Sequence, residues 1–442
     1  MTWATRFRIS EYLRESLWVV PSLGALAGIL GALIVVLIDE HVKVPSDWAY
    51  SSSTASTVLS AVAGAVAALT GFVVTVTVLV VQMATGTFSA RYMRLWYRDP
   101  VLKGVLALLI GTLAFAFSLL RRIETNFVPD LGVTLAELLL LAGLVVFVVF
   151  LNRFVHRLRP VAVAALLAKG VRKSLDEDLM HTRHVRDVFA RPPGGVGEEP
   201  SLTVRCDRPG AIQAVNLSAV VTWARRHECL VAMRHSVGEF MDAGDPLFEV
   251  YGDPGRPDAA ERDLRGLVAL GLERTIEQDP GFAIRVIVDM AGKALSPAIN
   301  DPTTGVQALD YLGASLKHLG TIDRSAPTWH TGAAKCGVLI PARRFEDFLA
   351  LAVTEIREFG ASSIQVMRRM RALLEELQQE VHPENRAAVQ AELARLNATV
   401  AATYSDSIDR DRAGIADRQG LGGPGRLEPA EAAAVQPIRP MG

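Results

Sequence analysis

Two long uncharged apolar runs, Leu17–Ile38 and Thr57–Met83, open this chain and restrict what it can fold into. Gly104–Leu120 is a third, extended by Val101 and Leu102, and Val133–Val155 is a fourth, broken by Glu137, Asn152 and Arg153. A helix needs about 20 apolar residues to cross a hydrocarbon core of roughly 30 Å. All four runs meet that length, and four in succession predict transmembrane helices at 17–38, 57–83, 101–120 and 133–155. The first run is too long for a cleaved leader and ends Val36-Leu37-Ile38-Asp39 without an A-x-A site, so it should stay as a membrane helix.

Lys and Arg near the helix ends set the expected orientation. The N-terminal flank, residues 1–16, carries Arg6, Arg8 and Arg14; the first loop has Lys43; the second has Arg91, Arg94, Arg98 and Lys103. The third loop sets Arg121-Arg122 against Glu124 and Asp130, and Arg153, Arg157, Arg159, Lys169, Arg172 and Lys173 follow the fourth helix. The alternation predicts both termini in the cytoplasm. The remaining composition agrees with a split chain. The 442 residues are 50% hydrophobic and 21% charged, and the mean hydropathy of +0.26 averages an apolar part with a polar one. A net charge of −1 gives no global argument for nucleic-acid binding. Cys206, Cys229 and Cys336 are widely spaced, and His227 beside Cys229 has no second ligand pair, so neither a disulfide scaffold nor a metal site is expected.

Small residues mark helix contacts. Gly24 and Gly28 form a GxxxG, with Gly31 one turn on. In the second helix Ser60, Gly64, Ala68, Gly71, Thr75 and Gln82 recur at spacings of three, four or seven and form a small, polar stripe on a Val- and Leu-rich helix. Two readings stand: close packing inside a four-helix bundle, or the lining of a narrow aqueous path in an oligomer. Glu137, one turn into the fourth helix, is costly unless paired or wet. It is expected either to pair with Arg121 or Arg122 or to bind a proton or cation. No ladder of intramembrane carboxylates argues for a proton relay, and no Arg-rich span argues for a voltage sensor.

Past the membrane runs, residues 156–200 read as a juxtamembrane helix and a linker, with Arg191-Pro192-Pro193-Gly194-Gly195 as an exposed turn. Residues 201–404 read as an α+β domain, β-rich over 201–251 and helical over 262–404, with Val338–Pro341 as one more strand. Val237–Val250, with two glycine turns around short apolar runs, looks like the hairpins of barrel-sandwich hybrid domains, without an acceptor lysine. Ser296-Pro297-Ala298-Ile299-Asn300-Asp301-Pro302-Thr303-Thr304 joins two helices. Asp301 before Pro302 is an N-cap and first-turn pair, so Asn300, Asp301, Thr303 and Thr304 form either a cap or a ligand loop. Residues 405–442 lack periodicity and read as a disordered tail.

The stretch Gln278–Leu312, above all Leu295–Thr304, and the stretch Thr87–Leu120 resemble the DUF2254 family of predicted bacterial membrane proteins. The resemblance implies a polytopic α-helical membrane domain followed by a cytoplasmic α+β domain, in a bacterial cytoplasmic membrane, and implies no activity. No P-loop, GxGxxG, HExxH or GxSxG is present, no catalytic residue stands out, and no cofactor is expected. Two functions stay open: a homo-oligomeric channel or small-solute pathway with a cytoplasmic regulatory domain, or a membrane-anchored sensor or scaffold. The expected partners are the lipid bilayer and further copies of the chain.

Overall fold

The computed structural model describes residues 2–41, 49–87, 97–125, 127–157, 159–183, 187–189, 199–321, 329–333, 336–339, 341 and 343–422. Lys43, Arg91, Arg94, the Arg191–Gly195 turn and residues 423–442 lie outside them. The chain forms two compact units, Ile9–Ala162 and a second made of Met1–Arg8 with Val163–Gly442.

The first unit holds α1 (Trp3–Glu15) from Ile9 on, then α2 (Val19–Asp39), α3 (Ser52–Thr87), α4 (Pro100–Leu120) and α5 (Asp130–Arg157). Four of these are long and apolar enough to cross a membrane: Val19–Asp39, Ser52–Met83, Pro100–Leu120 and Asp130–Phe154. At about 1.5 Å per residue α3 runs about 54 Å, further than a hydrocarbon core requires. Helix α4 is central and packs against α2, α3 and α5. Leu59, Val66 and Val73 of α3, Leu109, Phe115 and Leu119 of α4, and Ala136 and Phe150 of α5 meet in one buried cluster.

The GxxxG of α2 is used in full. A Cβ on Gly24 would strike the Ala107 carbonyl and one on Gly28 the Gly111 carbonyl, so the α2 and α4 backbones touch because neither glycine has a side chain. In lipid, where apolar side chains gain nothing by leaving solvent, such van der Waals fit is the main attraction between helices. Polar ties close both ends of the unit. Arg98 pairs with Glu11 and, at 3.0 Å, with Glu15. The Lys103 ammonium donates to the Leu13 and Arg14 carbonyls, satisfying the open C-terminal end of α1. At the other end the Asp39 carboxylate accepts from the Leu131 and Gly132 N–H groups (3.2 and 3.3 Å), so the last residue of α2 caps α5.

The second unit is mixed. Helix α6 (Pro160–Arg183) leads into β1 (Asp187–Phe189), β2 (Leu202–Arg205), β3 (Gly210–Val215), α7 (Leu217–Arg226), β4 (Leu230–Met233), β5 (Phe240–Met241), β6 (Pro246–Tyr251), α8 (Pro257–Arg265) and β7 (Val268–Gly271). There follow α9 (Pro280–Ala294), α10 (Pro302–Gly320), β8 (Trp329–Ala333), β9 (Cys336–Leu339), α11 (Phe345–Phe359), α12 (Ile364–Glu380), α13 (Arg386–Thr403) and α14 (Ser407–Ala413). One sheet runs β1-β8-β9-β4-β6-β2 and a smaller one runs β5-β3-β7. All pairs are antiparallel except β4 with β9.

Three local readings are corrected. Beyond the strand expected at Val338–Pro341, which falls on β9, the segment 262–404 holds two more among the described residues: β7 pairs with β3, and β8 pairs with β9 in the larger sheet. Strands β5 and β6 do not form a hairpin of barrel-sandwich type, because β5 pairs with β3 while β6 lies between β4 and β2. Residues 405–422 are not a featureless tail. Helix α14 is followed by a loop in which buried Asp417 accepts from the Gln419, Gly420 and Gly422 N–H groups, while buried Arg368 of α12 donates to the Ile415 and Gly422 carbonyls. A short run of Gly, Asp and Arg carries no periodicity, yet its backbone groups are satisfied by two buried charges.

Candidate functional site

The stripe on α3 is the first candidate. Ser60, Gly64, Ala68, Gly71, Thr75 and Gln82 are all exposed on one face of the helix. The opposite face, with Leu59, Val62, Val66, Val73 and Val80, is buried. At about 100° per residue the two faces are roughly 180° apart. A Cβ added at Gly64 or Gly71 meets nothing within 4 Å. Contact inside the chain's own bundle is therefore not what the stripe makes. The larger Val and Leu side chains take that role because they fill more of the interhelical space. The Thr75 hydroxyl donates to the Gly71 carbonyl at 2.9 Å, within its own helix.

Glu137 is not paired with Arg121 or Arg122, both of which are exposed. Its partner among the described residues is the Tyr50 hydroxyl, which donates to Glu137 Oε2 at 3.4 Å. The Tyr50 N–H donates to Asp130 at 2.8 Å, so one tyrosine just before α3 holds two carboxylates of α5.

The loop before α10 brings Asn300, Asp301, Thr303 and Thr304 into one turn. Asp301 accepts from the Thr304 N–H at 3.1 Å and from the Thr304 hydroxyl at 2.6 Å. Its own N–H reaches the Ala294 carbonyl at 2.7 Å. Asn300 sits at φ +50°, a left-handed conformation that Asn tolerates better than most residues. Thr303 is exposed. A carboxylate of the chain already occupies the helix terminus that would attract an anion.

The same device opens α9. Asp279, 3% exposed, accepts from the Phe282 N–H at 3.0 Å and pairs with Arg274 at 2.9 Å, while that guanidinium lies over the Phe282 ring. Gln278 acts as an extra strand residue, donating to the Val215 carbonyl and accepting from the Val215 N–H. Arg285 of α9 clasps Glu355 of α11 with two bonds of 2.5 Å. That bidentate pair holds the Glu355 carboxyl below the usual carboxylate range and the Arg285 guanidinium above its own. These contacts tie helices and strands together; none leaves a reactive group free.

No group of three or more His, Cys, Asp or Glu suited to a metal occurs among the described residues. All three cysteines are buried, and burial raises the Cys206 and Cys229 thiols. His227 stacks on Trp223 at 4.2 Å. His235 bonds Glu239 at 2.8 Å; burial alone would raise that carboxyl, but the His235 and Ser236 hydrogen bonds bring it below its ordinary value.

Sequence reasoning missed one feature. In the second unit the N-terminal residues Thr2 and Trp3 close one side of an open cavity of about 500 Å³ against α7 and the end of α8. The Ala4 N–H donates to the Gly266 carbonyl at 3.0 Å and fixes the segment there. The one available signal was a tryptophan three residues into the chain, with nothing to indicate its partners.

The family model described as "Predicted membrane protein (DUF2254)" matches residues 14–376. The chain belongs to the DUF2254 family. The match spans all four apolar helices and runs into α12, so α13, α14 and the Asp417 loop lie beyond it, as do Thr2 and Trp3. Relatives include the uncharacterized proteins MT1328 of Mycobacterium tuberculosis (strain CDC 1551 / Oshkosh) and Mb1321c of Mycobacterium bovis (strain ATCC BAA-935 / AF2122/97). Each is 26% identical to this DUF2254 chain over 419 residues, covering 92% of the chain and 80% of the relative. No solved structure matches the chain.

Proposed function

We propose that this DUF2254 protein is a multi-pass protein of the bacterial cytoplasmic membrane, with both termini in the cytoplasm. It works as a homo-oligomer whose α3 stripes face one another and leave a path for a small solute, regulated by the mixed unit. The observation that carries this reading is the outward direction of all six stripe residues. A face that meets only lipid has no reason to be small, since Leu or Val serves equally well there. Between protomers, Ser60, Gly64, Gly71, Thr75 and Gln82 would leave room for water and offer oxygen and nitrogen contacts in its place. The path lies between copies of the chain because the core of each protomer is a packed apolar cluster. The orientation is supported by the Lys and Arg distribution and by the packing of Met1–Arg8 in one unit with Val163–Gly442.

Flux from proteoliposomes tests the reading. Gly64→Leu and Gly71→Leu should abolish solute flux and shift the oligomer towards monomer in detergent while each protomer keeps its helical content. Intact flux in both variants would overturn it. The packed core of the single protomer favours a second reading, a membrane-anchored sensor without transport. An oligomer with no flux for any small ion or neutral solute would leave that reading standing.

A further inference from the structure

We propose that the cavity between the N-terminal segment and α7 is a binding site for a phosphate ester. Its volume of about 500 Å³ falls in the range of small-molecule sites. Arg226 of α7 and Arg262 of α8 both line it. Arg226 makes no hydrogen bond or ion pair among the described residues, and Arg262 is held by a single bond, from Nε to the Asp258 carbonyl of its own helix at 3.2 Å. Two guanidinium groups on one cavity wall repel each other unless an anion lies between them, and a phosphate takes bidentate bonds from such forks. Asp263 also lines the cavity and leaves the charged set at a net positive charge.

Three further observations fit such a ligand. Thr2, Ser218 and Thr222 bring hydroxyls to the wall. Trp223, 7% exposed, lines the same cavity and adds an aromatic surface to its wall. Trp3, half-buried on the opposite side, supplies an apolar surface for the organic part of the ester.

The phosphate ester has two possible sources, a soluble metabolite or the headgroup of an anionic lipid. Full-length protein in neutral detergent is titrated with glycerol 3-phosphate by calorimetry, and phosphatidylglycerol retention is measured by native mass spectrometry. Binding of glycerol 3-phosphate supports a soluble ligand, and retention of phosphatidylglycerol alone supports a headgroup. In either case Arg226→Gln with Arg262→Gln should weaken binding at least about tenfold. If the double variant fails to fold, Arg226→Gln alone, at an exposed position, serves in its place. Failure of both probes to bind, or equal binding by wild type and a folded arginine variant, overturns the proposal. None of these readouts depends on solute flux, so the site and the pathway fail independently.

Discussion

Aspartate followed by proline opens three helices of this chain, and the two residues divide the work. Asp99, Asp279 and Asp301 each accept from a first-turn N–H, at 2.9, 3.0 and 3.1 Å, while the proline ring presets the helical φ and removes one orphan donor. Asp301→Ala should therefore destabilise the mixed unit by about 0.5–2 kcal/mol in denaturant titration, and Asp301→Asn, which keeps an acceptor, should recover most of the loss. An alanine variant with unchanged stability would show that the loop serves something other than capping. Backbone strain gives a sharper case at Gly238. Its φ is +93°, and an added Cβ would run into the Asp279 and Arg274 side chains. Gly238→Ala should cost about 1–3 kcal/mol by the same assay. A pH effect follows from Glu355, whose folded-state carboxyl lies below its unfolded value because Arg285 clasps it. A lowered carboxyl contributes stability that is present above the unfolded value, about 4.3, and is lost as pH falls through the folded one. Melting curves between pH 6 and 3 should show that loss in wild type and less of it in Glu355→Gln.

Two kinds of glycine on neighbouring helices should behave in opposite ways. Gly24 and Gly28 of α2 touch the backbone of α4, so Gly28→Val forces those helices apart and should lower the melting temperature of the detergent-solubilised protein markedly. A Cβ at Gly64 of α3 meets nothing within 4 Å, so Gly64→Val should leave the melting temperature unchanged and, on the proposed assembly, weaken contact between copies of the chain. Equal losses from both would show that the Gly64 face of α3 packs inside the bundle. The contrast also shows how far the sequence could be read. Length and absence of charge announce the four helices, because the thickness of a bilayer demands both. Periodicity likewise announces the stripe on α3, but it defines a face without saying what that face meets. Here the bulky side, not the small one, fills the bundle. The four residues of β7 are too few to show a period, and their pairing with β3 is flanked by the bonds of Gln213 to the Glu273 carbonyl and of Gln278 to Val215, which no local pattern announces. The cavity wall joins Trp3 to Trp223, and no local pattern can express a contact so distant in the chain.

For the whole molecule, topology is the property on which every functional reading depends. Four crossings, as proposed, would bring the chain back to the side from which it started, and Met1–Arg8 belong to the same compact unit as Val163–Gly442. The Ala4 N–H bond to the Gly266 carbonyl is incompatible with the two ends lying on opposite sides of a bilayer. On the proposed topology that side is the cytoplasm, which Arg6, Arg8 and Arg14 before the first span and Arg153, Arg157 and Arg159 after the last favour. Arg121-Arg122 dissent from the opposite loop, and the choice is a sum over all flanks. Substituted-cysteine labelling resolves it with little interference from the native thiols, since all three are buried and burial raises Cys206 and Cys229, leaving less of the reactive thiolate. In intact cells a membrane-impermeant maleimide should label Pro45→Cys, in the loop after the first span, and should reach Ser405→Cys, at an exposed position after α13, only once the membrane is opened. Labelling of Ser405→Cys in intact cells would turn the molecule over. The mixed unit would then face outward, and the phosphate-ester cavity would sample the exterior instead of the cytoplasm.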